Sequence, residues 1–311
     1  MMDREVGLIP ESELVQRIVE LKRRHDVMLL AHNYQRPEVR AVADFTGDSL
    51  ELSRIAARTE AARIVFCGVL FMAETAKILS PQKRVFLPRL DAGCPMADMI
   101  TAGELREWKG RFPGAPVVTY VNSSAEVKAE SDICCTSANA AAVVRSLSAP
   151  LVLFAPDQNL ASWVQEQVPE KKVVPYDGFC YVHHRIRGDE IAAAKLLHPR
   201  AVVLAHPETR SEVRQLADQV LSTSGMLRFA RHSEAQEFII VTEEGLLPTL
   251  VAENPGKEFF HPGPPRLCSN MKKTTLRDVV ASLAHERYEI DVARPVQERA
   301  LSALERMIAI S

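Results

Sequence analysis

What the chain lacks narrows its class before any motif does. It holds no run of about 18 apolar residues, so no membrane-spanning helix is expected. The opening stretch MMDREVGLIPESELVQRIVE carries acids early and lacks an apolar run of signal-peptide length, so a cytoplasmic protein is expected. Charge of one sign is also missing. With 38 basic and 40 acidic side chains the formal net charge is −2, which argues against broad nucleic-acid or membrane-surface binding. The six cysteines, at 67, 94, 134, 135, 180 and 268, form no CxxC pair, so neither a local zinc signature nor a ferredoxin signature is present. Without an export signal they are expected to be reduced thiols, for which metal binding or catalysis is a better expectation than disulfides.

What is present is an alternation of short apolar runs and amphipathic stretches. VMLLAH (27–32), RIVFCGV (63–69), RVFL (84–87), VVTYV (117–121), LVLFAP (151–156), KVVPY (172–176), AVVLAH (201–206), EFIIVT (237–242) and EFFH (258–261) read as buried strands. Helical stretches such as SLELSRIAARTEAA, AETAKIL and SEVRQLADQVL lie between them. The pattern predicts an α/β chain with parallel sheets flanked by helices.

Length alone suggests two domains, but self-comparison gives three units. Glu38-Val39-Arg40 recurs as Glu126-Val127-Lys128 and again as Glu212-Val213-Arg214, at steps of 88 and 86 residues. Asp44, Asp132 and Asp218 keep the same steps, as do Ser49, Ser137 and Thr223, and the strand-end residues His32, Tyr120 and His206. Cys94, Cys180 and Cys268 each close a unit after its third strand, at steps of 86 and 88. The units are expected at 1–96 (with a C-terminal return, 271–311), 97–181 and 182–270, as αβα layers around a pseudo-threefold axis. A C-terminal helix near 292–309 is expected to pack on the first unit.

Ligands of parallel α/β sheets bind beyond the carboxyl ends of the strands, where these cysteines and strand-end residues fall. Three thiolates meeting there leave a fourth coordination position open, which suits a catalytic zinc or a [4Fe–4S] cluster with one iron free of protein ligands. Spacing alone does not choose between them. The glycine and proline beside Cys94 read as a turn that points its thiolate inward. Cys67 reads as a small buried hydrophobe and Cys134-Cys135 as packing. Ser49, Ser137 and Thr223 read as helix openers, either plain N-caps or contacts to a carboxylate-bearing substrate. Tyr34 and Glu208, two residues past a strand-end histidine, are the candidates for proton transfer.

LLAHNYQ, ADFTGDSLELSR, FMAETAKIL, CPMADM, TYVNSSAEVKAESDICCTSANA, FAPDQNLA, GFCYVHHRI, AHPE, STSGM and CSNMKKTTL run in one order from residue 29 to 276. In this combination the chain resembles the quinolinate synthase family of NAD biosynthesis. The resemblance implies three similar αβα domains and an oxygen-sensitive [4Fe–4S] cluster held by Cys94, Cys180 and Cys268. It implies condensation of iminoaspartate (iminosuccinate) with dihydroxyacetone phosphate to give quinolinate, phosphate and water. His32, Ser49, Tyr120, Val121, Asn122, Ser137, His206, Pro207, Glu208 and Thr223 would bind substrate, and Tyr34, Tyr120, His206 and Glu208 would act in catalysis. A transient contact with the aspartate-oxidising enzyme that supplies the unstable imine is a further expectation. Two other readings stay open on the residues alone: a three-cysteine zinc enzyme and a non-catalytic dicarboxylate-binding module.

Overall fold

A computed structural model describes residues 9–310. The first repeat runs α1 (Glu11–His25), β1 (Val27–His32), α2 (Pro37–Ala41), β2 (Phe45–Gly47), α3 (Ser49–Arg58), β3 (Arg63–Cys67), α4 (Leu70–Leu79) and β4 (Arg84–Phe86). The second runs α5 (Ala102–Gly110), β5 (Val117–Tyr120), α6 (Ala125–Ala129), β6 (Ile133–Cys135), α7 (Ala140–Ser146), β7 (Leu151–Ala155), α8 (Gln158–Gln167) and β8 (Lys172–Pro175). The third opens with α9 (Tyr181–His184) and α10 (Gly188–Leu197). It continues with β9 (Val202–Ala205), α11 (Ser211–Arg214), β10 (Gln219–Val220), α12 (Thr223–His232), β11 (Glu237–Val241), α13 (Leu247–Glu253) and β12 (Glu258–Phe260). Two helices follow, α14 (Leu276–His285) and α15 (Arg294–Ile308).

Each repeat forms one four-stranded, all-parallel sheet in the same order, β2-β1-β3-β4, β6-β5-β7-β8 and β10-β9-β11-β12. The protein is therefore α/β, built from three homologous αβα units. Every unit has a strand absent from the sequence expectation: β2, β6 and β10 span only two or three residues. Such segments are too short to show a strand period. The three cysteines consequently follow a fourth strand in their units rather than a third.

The recurring aspartate has a physical reason in all three copies. The carboxylates of Asp44, Asp132 and Asp218 accept the N–H groups of Leu29 (2.8 Å), Val117 (2.7 Å) and Val203 (2.7 Å). Their own N–H groups donate to the carbonyls of those same residues. Each aspartate thus joins the approach to the short strand onto the first strand, fixing the register of a pairing too short to fix itself. A lysine recurs as well. Lys83, Lys171 and Lys257 donate to the carbonyls of Thr59, Leu147 and Ser233, just past the ends of α3, α7 and α12. Cations at helix C-termini meet both the unpaired carbonyls and the helix dipole.

The chain divides into two compact units, 9–94 with 269–293 and 95–268 with 294–310. In the first, α14 packs on α1 and lends Leu276, Val279, Val280 and Leu283 to the core around Leu29 and Val65. In the second, α15 packs on α6 and β6, with Arg299 paired to Glu130 (3.0 Å) and Asn139 Nδ2 donating to the carbonyls of Met307 and Ile310 (3.1 Å each). The C-terminal helix therefore docks on the second repeat, not on the first. The apolar stripe of α15, Ala300, Ala303, Leu304 and Met307, specifies burial but not the surface that receives it. No helix among the described residues is long and apolar enough to cross a membrane.

Candidate functional site

The six cysteines fall into two sets. Cys67, Cys134 and Cys135 lie within strands and are completely buried. Burial pushes their thiols up, that of Cys134 to about 12, so they are protonated, inert packing groups as the sequence suggests. Cys94, Cys180 and Cys268 lie in loops and are all half-buried.

Those three loops are held alike. The N–H of the third residue past the third strand, Leu70, Gln158 or Glu244, donates to the carbonyl two residues before the cysteine: Ala92 (2.8 Å), Gly178 (2.8 Å) or Arg266 (3.0 Å). In the second repeat the approach is closest. Gly178 also donates to the Pro156 carbonyl at 3.0 Å, and a Cβ at Gly178 would stand 2.6 Å from that oxygen. Gly93, beside Cys94, has open space where a Cβ would go and no left-handed backbone angle. The turn before Cys94 therefore does not depend on glycine, contrary to the expectation.

Within the unit 95–268, side chains from three chain segments meet. Tyr120 ends β5, Cys180 precedes α9, His183 lies on α9, and His206 and Glu208 follow β9. Glu208 is the hub. Its carboxylate lies 2.6 Å from His183 Nδ1 and 3.8 Å from His206 Nδ1, and it accepts a hydrogen bond from the Tyr120 hydroxyl. Tyr120 is also hydrogen-bonded to Ser137. His183 Nδ1 stands 3.3 Å from Cys180 Sγ, its Nε2 stands 2.9 Å from Thr242 Oγ1, and its ring stacks on His206 with centroids 4.5 Å apart. Burial pushes the Glu208 carboxyl up, but the two imidazoles and the hydrogen bonds from His183 and Tyr120 outweigh it and hold the carboxyl well below the usual carboxylate range. Burial and the nearby Glu208 push the Tyr120 phenol up, so it remains a neutral donor. One ligand atom each from Cys180, His183 and Glu208 lies within 4.8 Å of the others, a set with the chemistry of a metal site.

The other expected residues divide by position. His32 and Tyr34, in the unit 9–94, are both buried, with rings edge to face at 4.8 Å. The Tyr34 N–H donates to His32 Nδ1 (3.1 Å), as the Glu208 N–H does to His206 Nδ1 (3.4 Å), which leaves the proton of a neutral ring on Nε2. Ser49 and Thr223 are first residues of helices, but the caps are Asp48 and Ser222. Ser137 lies in the turn before α7 rather than opening it. Of the two readings open for these hydroxyls, the plain N-cap fails at α3 and α12, where the residue before the helix takes that role. The Val121 N–H is taken by the Cys135 carbonyl (2.9 Å), and Pro207, its equivalent, has no N–H. Any backbone contact from these two positions is therefore through a carbonyl. Asn122 Oδ1 is buried without a hydrogen-bond partner.

Three candidates escaped the sequence reading. His183 stands three residues after Cys180 on one helical turn, a spacing that places both on one face. Asp157 and Glu243 are fully buried acids separated by the repeat step of 86 residues; the first repeat has Val69 at that position.

The fold and this buried carboxylate–imidazole–phenol cluster, beside a half-exposed thiol, define an α/β enzyme whose site carries acid–base groups and a candidate set of metal ligands. Residues 16–309 match the family model described as quinolinate synthetase A protein. The chain is 51% identical over 299 residues to the quinolinate synthase of Thermodesulfovibrio yellowstonii, covering 96% of this chain and 99% of that protein. It is 54% identical over 297 residues to that of Methanoregula boonei, covering 96% and 98%. The chain belongs to the quinolinate synthetase A family of enzymes.

Proposed function

We propose that this chain is a quinolinate synthase acting in NAD biosynthesis in the cytoplasm. One iminoaspartate and one dihydroxyacetone phosphate give one quinolinate, one phosphate and two waters, with no net change of oxidation state. Support comes from family relationships over nearly the whole chain and, above all, from the ionised Glu208 carboxylate held among Tyr120, His183 and His206.

The donor set fits a [4Fe–4S] cluster. Of six thiols, only Cys94, Cys180 and Cys268 are outside the buried set, and they recur at one position per repeat in loops anchored by the same backbone bond. These three would hold it. When bound, such a cluster supplies one iron without a protein ligand, a Lewis acid for a leaving hydroxyl or a carboxylate of the substrate.

The chain's own residues would do the rest. Glu208 takes and returns protons during cyclisation and dehydration. In the arrangement described its proton affinity is low, and a substrate that takes over the Tyr120 hydrogen bond raises it. Tyr120 donates to a substrate oxygen, and Tyr34 serves as second proton carrier. His32 and His206 offer Nε2–H donors to carboxylates, Asn122 offers its unpaired amide oxygen to an N–H or O–H, and the hydroxyls of Ser49, Ser137 and Thr223 bind anionic oxygens near helix starts. Val121 and Pro207 contribute carbonyls.

Anaerobically reconstituted protein should form quinolinate from dihydroxyacetone phosphate and freshly generated iminoaspartate. A cluster-loaded sample that makes none overturns the reading. A zinc enzyme is the second reading, favoured by the mixed Cys180–His183–Glu208 set. A colourless, active protein with stoichiometric zinc would establish it in place of a brown one absorbing near 400 nm.

A further inference from the structure

Two buried acids have no part in the chemistry above, yet each touches a cysteine loop. Asp157 Oδ2 accepts the N–H of Cys180 at 3.0 Å, while its Oδ1 accepts the N–H of Leu160 at 2.7 Å and so caps α8. Glu243 Oε1 accepts the N–H of Cys268 at 3.0 Å, while its Oε2 accepts the N–H of Gly245 at 2.7 Å. The acids occupy the same position of successive repeats, and neither is exposed at all. Both oxygens of each carboxylate face backbone donors, one on the segment after the third strand and one on the cysteine itself. Val69 stands at this position in the first repeat.

A hydrogen bond to a buried acceptor is costly to break, because the group left without a partner has no water to turn to. Here it acts on the residue whose thiol must point in a fixed direction. We infer that Asp157 and Glu243 are positioning residues that lock the backbone of Cys180 and Cys268 before a cofactor arrives. The loop of Cys94 is held by a different device. Arg89 pairs with Asp91 (2.9 Å) and Asp278 (3.7 Å), and Lys273 pairs with Asp91 (3.5 Å), among side chains that are partly exposed. Two ligand positions are therefore preset from within, and the third is set by surface charge.

The inference rests on the assignment of the three cysteines as ligands, and its test has one arm that does not. Asp157→Asn and Glu243→Gln are isosteric, but each amide keeps only one acceptor oxygen, so one of the two backbone donors loses its partner. Hydrogen–deuterium exchange of the apoprotein, followed by mass spectrometry, reads the loop of each cysteine separately. In Asp157→Asn, exchange at Cys180 should rise about tenfold, with the loops of Cys94 and Cys268 unchanged; Glu243→Gln should do the same at Cys268 alone. Reconstituted variants should also release iron to a chelator faster than the parent. Unchanged exchange at both cysteines overturns the inference, as does an equal rise in all three loops, which would mark general loosening. If no variant and not even the parent takes up a cluster, the ligand assignment fails, while the exchange arm still decides whether the carboxylates lock the loops.

Discussion

The cysteine loops of the first and second repeats share position and one backbone hydrogen bond, yet they are held in opposite ways. Around Cys180 the chain is clamped from inside: the buried Asp157 takes the cysteine N–H, and Gly178 packs against the Pro156 carbonyl at a distance no side chain would allow. Around Cys94 the position of Asp157 is taken by Val69, Gly93 has room to spare, and Arg89, Asp91 and Lys273 tie the loop at the surface. Repetition conserves the path of the backbone more strictly than the means of holding it. The same holds for the residue two past each strand-end position, which is Tyr34, Asn122 or Glu208. One scaffold position carries three chemistries.

That last contrast gives the largest expected effect. Glu208→Gln should lower kcat by about 100- to 10,000-fold with the cofactor retained, the range for loss of an acid–base group. Tyr34→Phe should cost less than Glu208→Gln, and a greater loss would reverse the assigned roles. Next comes packing. Gly178→Ala should destabilise the fold by ~1–3 kcal/mol in denaturant titration, because its Cβ would meet a backbone oxygen that cannot turn aside. Gly93→Ala should stay within ~0.5 kcal/mol. The smallest effect is electrostatic. Raising salt should speed hydrogen exchange at 89–94 and leave 176–180 unaffected, because exposed ion pairs are screened while the buried carboxylate is not.

The sequence made the threefold plan legible because the landmarks do identical local work in every copy. Asp44, Asp132 and Asp218 each join the same two strands, so each must keep its place. Glu208, Tyr120 and the split between strand and loop cysteines were legible for a similar reason, since chain position fixes which end of a sheet a residue serves. The two- and three-residue strands left no period to read. His183, Asp157 and Glu243 were missed because their roles come from contacts between distant segments, as with Cys268 N–H and Glu243, which lie 25 positions apart. The docking of α15 was misplaced for the same reason: its apolar stripe names no partner.

The central claim is that three of the six cysteines, one per repeat, hold one cluster. Iron and acid-labile sulfide measured on six anaerobically reconstituted single Cys→Ala variants test it most directly. The account predicts a near-complete cluster in the variants at 67, 134 and 135 and its loss in those at 94, 180 and 268. A full complement of iron and sulfide without Cys94, Cys180 or Cys268 would contradict it.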